Sequence, residues 1–205
     1  MIGPSSDIAF TPAVKEIQTT RGSRATYANM EARGGFRTEI DDDLAAFVED
    51  VDTAYLATTN AAGQPYAQHR GGPKGFIRVL GPRTLGWADY AGNRQYVSAG
   101  NLAENRKAFL FLMDYAHRRR IKLWGRAQMS DDRALIARLT PADYRARSER
   151  AVVFEVEAWD TNCPQHIPQK LDAADVAEAL AIRDKRIAEL EGDLAALKSR
   201  IERAS

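Results

Sequence analysis

The 205-residue sequence contains one cysteine, Cys163, and three histidines. A lone thiol closes no intramolecular disulfide, so a disulfide framework is excluded and the composition fits a reducing compartment. His69, His117 and His166 are scattered, and with one cysteine they make no zinc-ligand spacing, so no metal is expected. Charge of one sign is also lacking. The 29 Lys and Arg against 28 Asp and Glu leave a net charge of +1, which gives no global pull towards nucleic acid or an anionic membrane. Any anion site must therefore be local. No segment approaches the ~20 apolar residues of a spanning helix, and the N-terminus has no basic flank followed by an apolar run. These absences predict a soluble cytoplasmic protein with no nucleic-acid and no membrane partner.

What is present is enough for a core: 44% of residues are hydrophobic. Thr11-Pro12 reads as an N-cap and first helical position, with Val14 and Ile17 on one face of a short helix. Residues 25 to 37 carry Gly34-Gly35 and little periodicity and read as a surface loop. Asp41-Asp42-Asp43 ahead of Leu44, Phe47 and Val48 predicts a second helix from about Asp42 to about Asp50. The pattern then turns to strands, at Thr53 to Thr59, Pro65 to Arg70, Phe76 to Leu80 and Thr84 to Ala88, spaced as hairpins of an antiparallel meander. Asn93 to Asn105 reads as a helix with irregular ends. Strands follow at Ala108 to Asp114 and Arg120 to Gln128. Asp131 is expected to cap a helix through Leu139, Thr140-Pro141 to start another, and Ala151 to Trp159 to form the last strand. About six strands interrupted by helices predict a mainly β fold with α, a six-stranded antiparallel split β-barrel with helices outside it.

From Asp172 the composition shifts to Ala, Glu, Leu, Lys and Arg. Val176, Leu180, Arg183, Ile187, Leu190, Leu194, Leu197 and Ile201 follow a 4,3,4,3 spacing, the seam of a coiled coil. The competing reading is a solitary amphipathic helix, although so narrow a seam covers less than the usual globular stripe. The expected organisation is an N-terminal helix and loop over residues 1–40, a barrel domain over 41–168 and a C-terminal coiled-coil helix over 172–205.

Two basic corners with glycines carry the clearest chemistry. Gln68-His69-Arg70-Gly71-Gly72-Pro73 and Trp87-Ala88-Asp89-Tyr90-Ala91-Gly92-Asn93-Arg94-Gln95 each hold one Arg, whose guanidinium fork suits an anion, beside glycines that admit a ligand close to the backbone. Trp87 and Tyr90 offer flat surfaces to a heterocycle, with Trp87 as plain core the competing reading. Asp89 and Asn93 offer polar groups to its edge. Phosphate plus heterocycle suggests a nucleotide.

These segments, taken with Ala54-Tyr55-Leu56-Ala57-Thr58-Thr59, the turn Asn60 to Gln64, Asn101-Leu102, Arg120-Ile121-Lys122-Leu123-Trp124-Gly125 and Asn162-Cys163-Pro164-Gln165-His166-Ile167, resemble the FMN-binding split barrels related to pyridoxamine 5'-phosphate oxidase. The resemblance covers most of residues 8 to 168. It implies FMN as cofactor, with Arg70 reaching the phosphate and His69, Gly71 and Gly72 lining the flavin. The family's second phosphate corner often reads Ser-Arg-Lys; here it is Asn93-Arg94-Gln95, which leaves Arg94 as its cation. Trp87 and Asp89 match the strand end that borders the ring, and Gln165 and His166 are secondary cofactor-site residues. Arg120 matches a position that reaches the cofactor held mainly by the other subunit, which implies a homodimer with the FMN site at the subunit interface. The activity implied is an FMN-dependent oxidoreductase acting on a small-molecule substrate. The Arg- and Pro-containing end of true pyridoxamine phosphate oxidases is replaced here by the coiled-coil segment, so pyridoxamine 5'-phosphate is not the expected substrate. Alternatives are an FMN-binding storage or sensing protein, deazaflavin binding, or a haem-binding split barrel using His69, His117 or His166.

Overall fold

The computed structural model describes residues 3–161 and 165–204. They form two compact units, one running to Asp114 and continuing over Arg118–His166, the other made of Tyr115–His117 and the segment from Ile167 onward. Asn162, Cys163 and Pro164, part of the last motif above, lie outside the described residues.

In the first unit, helix starts are set by side chains. Helix α1, Pro12–Thr20, opens on Thr11, whose hydroxyl accepts from the Val14 N–H, with Pro12 at a position where no N–H is needed. Ile17, expected on the packed face, is 62% exposed; the buried residue of this helix is Gln18. The surface loop expected over 25–37 is corrected by a helix, α2, Arg24–Glu31. It buries none of its residues, so hydrophobic periodicity could not announce it. Polar and ring contacts hold it instead: Arg24 pairs with Glu31, Lys15 reaches Glu31 at 3.0 Å, and Tyr27 meets Phe10 edge-on at 5.2 Å. Helix α3, Asp42–Asp50, forms as expected, with the Asp41 carboxylate accepting from the Leu44 N–H at 3.0 Å and Asp42 and Asp43 at the positive end of the dipole.

Seven antiparallel strands follow: β1 Thr53–Thr59, β2 Pro65–Gly71, β3 Arg78–Gly81, β4 Thr84–Tyr90, β5 Lys107–Asp114, β6 Arg119–Ser130 and β7 Ser148–Thr161. Their order is β2-β1-β5-β6-β7-β4-β3. All seven segments read as strands form, one more than the expected six-stranded barrel; the third, expected at Phe76 to Leu80, is the four-residue edge strand β3, which pairs on one side, with β4. Alternation of buried and half-buried residues along β1 sends Ala54, Leu56 and Thr58 inward, where they meet Leu110, Leu112, Leu123, Phe154, Val156 and the α3 residues Leu44, Phe47 and Val48. The result is a split β-barrel around one main core. A smaller cluster of Ala88, Leu139 and Ala151 packs helix α5, Arg133–Leu139, outside β4 and β7.

The longest pairing, β6 with β7, shifts register between Trp124 and Gly125. There the two backbones approach so closely that a Cβ on residue 125 would overlap the Glu155 carbonyl and the Phe154 ring. Only glycine fits this bulge. Helix α5 is capped by Asp132, not by the expected Asp131; the Asp132 carboxylate accepts from the Ala134 N–H at 2.9 Å. No helix restarts at Thr140-Pro141. The Thr140 hydroxyl donates to the Ile136 carbonyl at 2.8 Å and meets the Ser148 hydroxyl at 2.7 Å, so it closes α5 against β7 and cannot cap a following helix.

In the second unit, Gln169 donates to the Ala116 carbonyl at 2.9 Å and the Lys170 ammonium lies 4.1 Å from the centre of the Tyr115 ring. Helix α6, Ala173–Ala204, then runs 32 residues and buries none of them. Among the described residues no helix is long and apolar enough to cross a membrane.

Candidate functional site

The open edge of the barrel is a seam where β2 lies beside β4. Along β2, Gln68 and Arg70 fall on the inward face, in register with Leu56 and Ala54 of β1. Along β4, Trp87 and Asp89 alternate with Ala88 and Tyr90. The inward residues meet across the seam. Arg70 Nη1 donates to the Asp89 carboxylate at 2.5 Å, and Arg70 Nη2 donates to Gln68 Oε1 at 3.0 Å. The same Gln68 oxygen accepts from Ser98 Oγ at 2.9 Å, which ties in helix α4, Val97–Glu104. On the other side of Asp89, paired with it in register, stands Arg150 of β7, 3.5 Å from its second oxygen. Asp89 thus lies between two guanidinium groups and is only 8% exposed.

Among the described residues, two cavities open along this seam. One of about 250 Å³ is lined by Gln68, Arg70, Asp89, Tyr90, Arg94 and Arg150 among others. The second, about 170 Å³, is bounded by His69, Arg70, Gly71, Phe76, Trp87 and Tyr90. Among the described residues, three buried polar atoms of cavity-lining residues have no hydrogen-bond partner: Arg70 Nε and Trp87 Nε1 on the inward face, and Tyr90 Oη on the face of Ala88. Buried donors left unpaired cost about 1–3 kcal/mol each, so each is a place where a polar atom from outside the described residues would be stabilising. Burial pushes the Tyr90 phenol above its ordinary value of 10.0, with the nearby Tyr144 adding to the shift.

The loop after β4 holds Arg94 and Tyr96 with φ of 59° and 52°, both left-handed and neither a glycine. Each costs on the order of 1–2 kcal/mol, and such strain concentrates at ligand sites. The Gln95 N–H donates to Asn93 Oδ1 at 3.2 Å inside the turn, and the Arg150 guanidinium lies 5.4 Å from the centre of the Tyr96 ring. Charge in the larger cavity comes to three arginines, Arg70, Arg94 and Arg150, against Asp89 and Glu149. Arg147 pairs with Glu149 at 3.0 Å, which leaves the balance there favourable to an anion.

Of the residues singled out in the sequence, Arg70, Asp89, Asn93 and Arg94 share the larger cavity, and His69, Gly71 and Trp87 reach the smaller one. Trp87 is 1% exposed and belongs to the core, so it offers no open ring face to a ligand, and its indole N–H is itself buried. His69 sits edge-on against Tyr55, 5.6 Å between ring centres. Gly71 and Gly72 are glycines for a reason internal to the chain: a Cβ on either would collide with the His69 ring or with Phe76. Gly72 and Gln95 line neither cavity, and neither do Arg120, Gln165 and His166. Arg120 lies on β6 opposite Met113 with its Nε buried and without a partner among the described residues, and Gln165 and His166 are exposed beyond β7. Sequence reasoning missed Gln68 and Ser98, which position Arg70, and Arg150. Gln68 had a signal, two residues before Arg70 on one strand face; Arg150 had none, because its place depends on β4 pairing with β7.

A curled antiparallel sheet with a polar, guanidinium-lined seam defines the split-barrel class. The family model described as pyridoxamine 5'-phosphate oxidase matches residues 40–163, more than half of the chain. The chain belongs to the pyridoxamine 5'-phosphate oxidase family. No curated protein matches it. Among solved structures, HupZ of Group A Streptococcus is similar over 64% of this chain and 99% of its own, at 14% identity and a TM-score of 0.50. An FMN-binding protein from Syntrophomonas wolfei is similar over 71% and 97%, at 11% identity and a TM-score of 0.45. General Stress Protein 26 of Bacillus anthracis is similar over 57% and 88%, at 12% identity and a TM-score of 0.44. At such identities these likenesses concern the fold alone.

Proposed function

We propose that this protein binds FMN along the β2–β4 seam, as a homodimer, and acts as an FMN-dependent oxidoreductase on a small molecule. The observation that carries the reading is the set of three guanidinium groups, Arg70, Arg94 and Arg150, lining one cavity on that seam against two carboxylates. Family membership supports the cofactor class. The residues fit such a group: guanidinium forks suit a phosphate, and the Gln68 and Asn93 amides suit polar atoms of a flavin ring. Bound FMN supplies two-electron chemistry that no side chain of the chain has. The chain's own part is to hold and orient. Arg94, on a strained and exposed loop, meets the phosphate, while Gln68 and Asp89 fix the Arg70 guanidinium. The cavities of about 250 and 170 Å³ are each below the roughly 300–1,000 Å³ usual for ligand pockets, which supports a site completed by a second subunit.

A second reading, FMN binding without turnover, is favoured by the state of the carboxylates. Both that line the larger cavity are ion-paired, Asp89 to Arg70 and Arg150 and Glu149 to Arg147, and neither is poised as a general acid or base. The test is the absorption spectrum of protein purified without added cofactor, followed by anaerobic addition of NADH or NADPH. Flavin bands that bleach on a seconds timescale support the oxidoreductase. Bands that persist support storage or sensing; a Soret band in place of flavin bands identifies haem and overturns both.

A further inference from the structure

Helix α6 carries a surface of its own. Its seam residues remain in solvent within one chain, Leu180, Ile187, Leu190, Leu194 and Leu197 each about half exposed. Leu180, Ile187, Leu194 and Ile201 take the a positions of a heptad, and Val176, Arg183, Leu190 and Leu197 the d positions. Four sustained heptads of this kind are a pairing surface. We infer that α6 pairs with α6 of a second copy of this chain, in parallel and in register.

Charges beside the seam choose the occupant and its direction. The g positions with a full partner are Arg186 and Asp193, and the e positions are Asp184, Glu191 and Lys198. In a parallel, in-register pair each g residue faces the e residue five positions on in the other chain. Arg186 then meets Glu191 and Asp193 meets Lys198, each twice by symmetry, and all four contacts join opposite charges. In the antiparallel pair with full overlap, g faces g and e faces e. Arg186 would still meet Asp193, but Asp184 would meet Glu191, so attraction and repulsion balance. Arg183 falls on the seam at a d layer, where in-register pairing puts Asp184 of the second copy beside it. A buried polar layer flanked by its counter-charge sets register at some cost in stability. Within one chain Arg186 instead reaches Glu189 at 3.0 Å, an exposed contact that it exchanges readily. Gly192 falls at f, facing away from the seam, where its lack of a side chain leaves the pairing surface intact.

The test uses the full chain with Cys163→Ser, so that an introduced thiol is the only one. Leu197→Cys in this background is expected to form a reducible disulfide-linked dimer under mild oxidation, since equivalent d residues of a parallel pair face each other at disulfide range. Lys185→Cys, at an outward f position, is the collision control and should not cross-link. In the antiparallel pair the two copies of residue 197 lie about 17 residues apart along the axis, roughly 25 Å, and cannot join. An equimolar mixture of Leu180→Cys and Leu197→Cys chains would cross-link in their place, overturning the parallel assignment. Failure of every pair would overturn self-pairing altogether. Arg186→Glu should slow the Leu197→Cys cross-link by roughly tenfold by turning two attractive contacts repulsive, and added Glu191→Arg should restore it. None of these readouts involves flavin, so they stand or fall separately from the proposed cofactor.

Discussion

Removing the Asp89 carboxylate is the most informative single change to the barrel. Asp89 and Arg70 have side chains only 11% and 13% exposed and are joined at 2.5 Å, and Arg150 stands 3.5 Å from the same carboxylate. Asp89→Ala strips two poorly hydrated guanidinium groups of their counter-charge at once. Breaking a buried pair from one side costs about 3–5 kcal/mol, and the residual solvent at this seam argues for the lower end, about 3 kcal/mol. Arg70→Ala is expected to cost about half of that, because Asp89 keeps Arg150 and Gln68 Oε1 keeps Ser98. For a chain of this length about 3 kcal/mol corresponds to a fall in Tm of roughly 6–12 °C. Urea unfolding of flavin-free protein, followed by tryptophan fluorescence and extended to the Arg70→Ala, Asp89→Ala double mutant, measures both costs and their coupling. The reasoning is refuted if Asp89→Ala loses less than about 1 kcal/mol, or if Arg70→Ala is the more destabilising of the two.

Other outcomes follow from single contacts. Gly125→Ala pushes a methyl group into the Glu155 carbonyl at the β6–β7 bulge, where neither backbone can yield, so a loss of about 3 kcal/mol or more is expected by thermal unfolding; a Tm within about 2 °C of the parent would contradict it. Because the folded state holds the Tyr90 proton above the ordinary value of 10.0, stability should be unaffected below that pH and fall as pH rises through the shifted value. Tyr90→Phe should flatten that alkaline fall in a stability-versus-pH series. Arg183→Leu replaces the polar layer of α6 and should raise the helix melting temperature while loosening register, read as Leu197→Cys cross-links spreading to neighbouring positions. A melting temperature that drops would argue that Arg183 is not on a paired seam.

Much of the barrel could be read from the chain because its determinants are local. Thr11 and Asp41 cap helices through their own side chains, and the alternation in β1 sorts inward from outward residues within seven positions. What escaped depends on partners distant in sequence. Helix α2 has no buried face and is held by Lys15, Phe10 and its own Arg24–Glu31 pair, so its segment carries no periodic signal. Asp131 and Asp132 are equivalent as letters, and only the turn from Ser130 decides which carboxylate reaches the free N–H groups. Thr140 has the chemistry of a cap, but a contact with Ser148 uses its hydroxyl elsewhere.

The site shows the same division. Arg70, Asp89 and Arg94 were visible as charged residues in glycine-bearing corners, and two of them meet at the seam. The glycines beside Arg70 were visible too, but the reason for them was not: His69 and Phe76 occupy the space a Cβ would need. Arg150 reaches Asp89 only because β4 and β7 pair with that register, a fact of topology that no local pattern encodes.

The most direct test of the central claim is a paired titration of flavin-free protein with FMN and with riboflavin, which lacks the phosphate, followed by quenching of flavin fluorescence. FMN should bind at least tenfold more tightly than riboflavin, consistent with a charge-assisted phosphate contact of about 1.5–3 kcal/mol, and Arg94→Ala should remove most of that advantage while leaving riboflavin affinity unchanged. Equal affinity for the two flavins, or an FMN preference that survives Arg94→Ala, would contradict the phosphate site at this corner; no binding of either would contradict the flavoprotein itself.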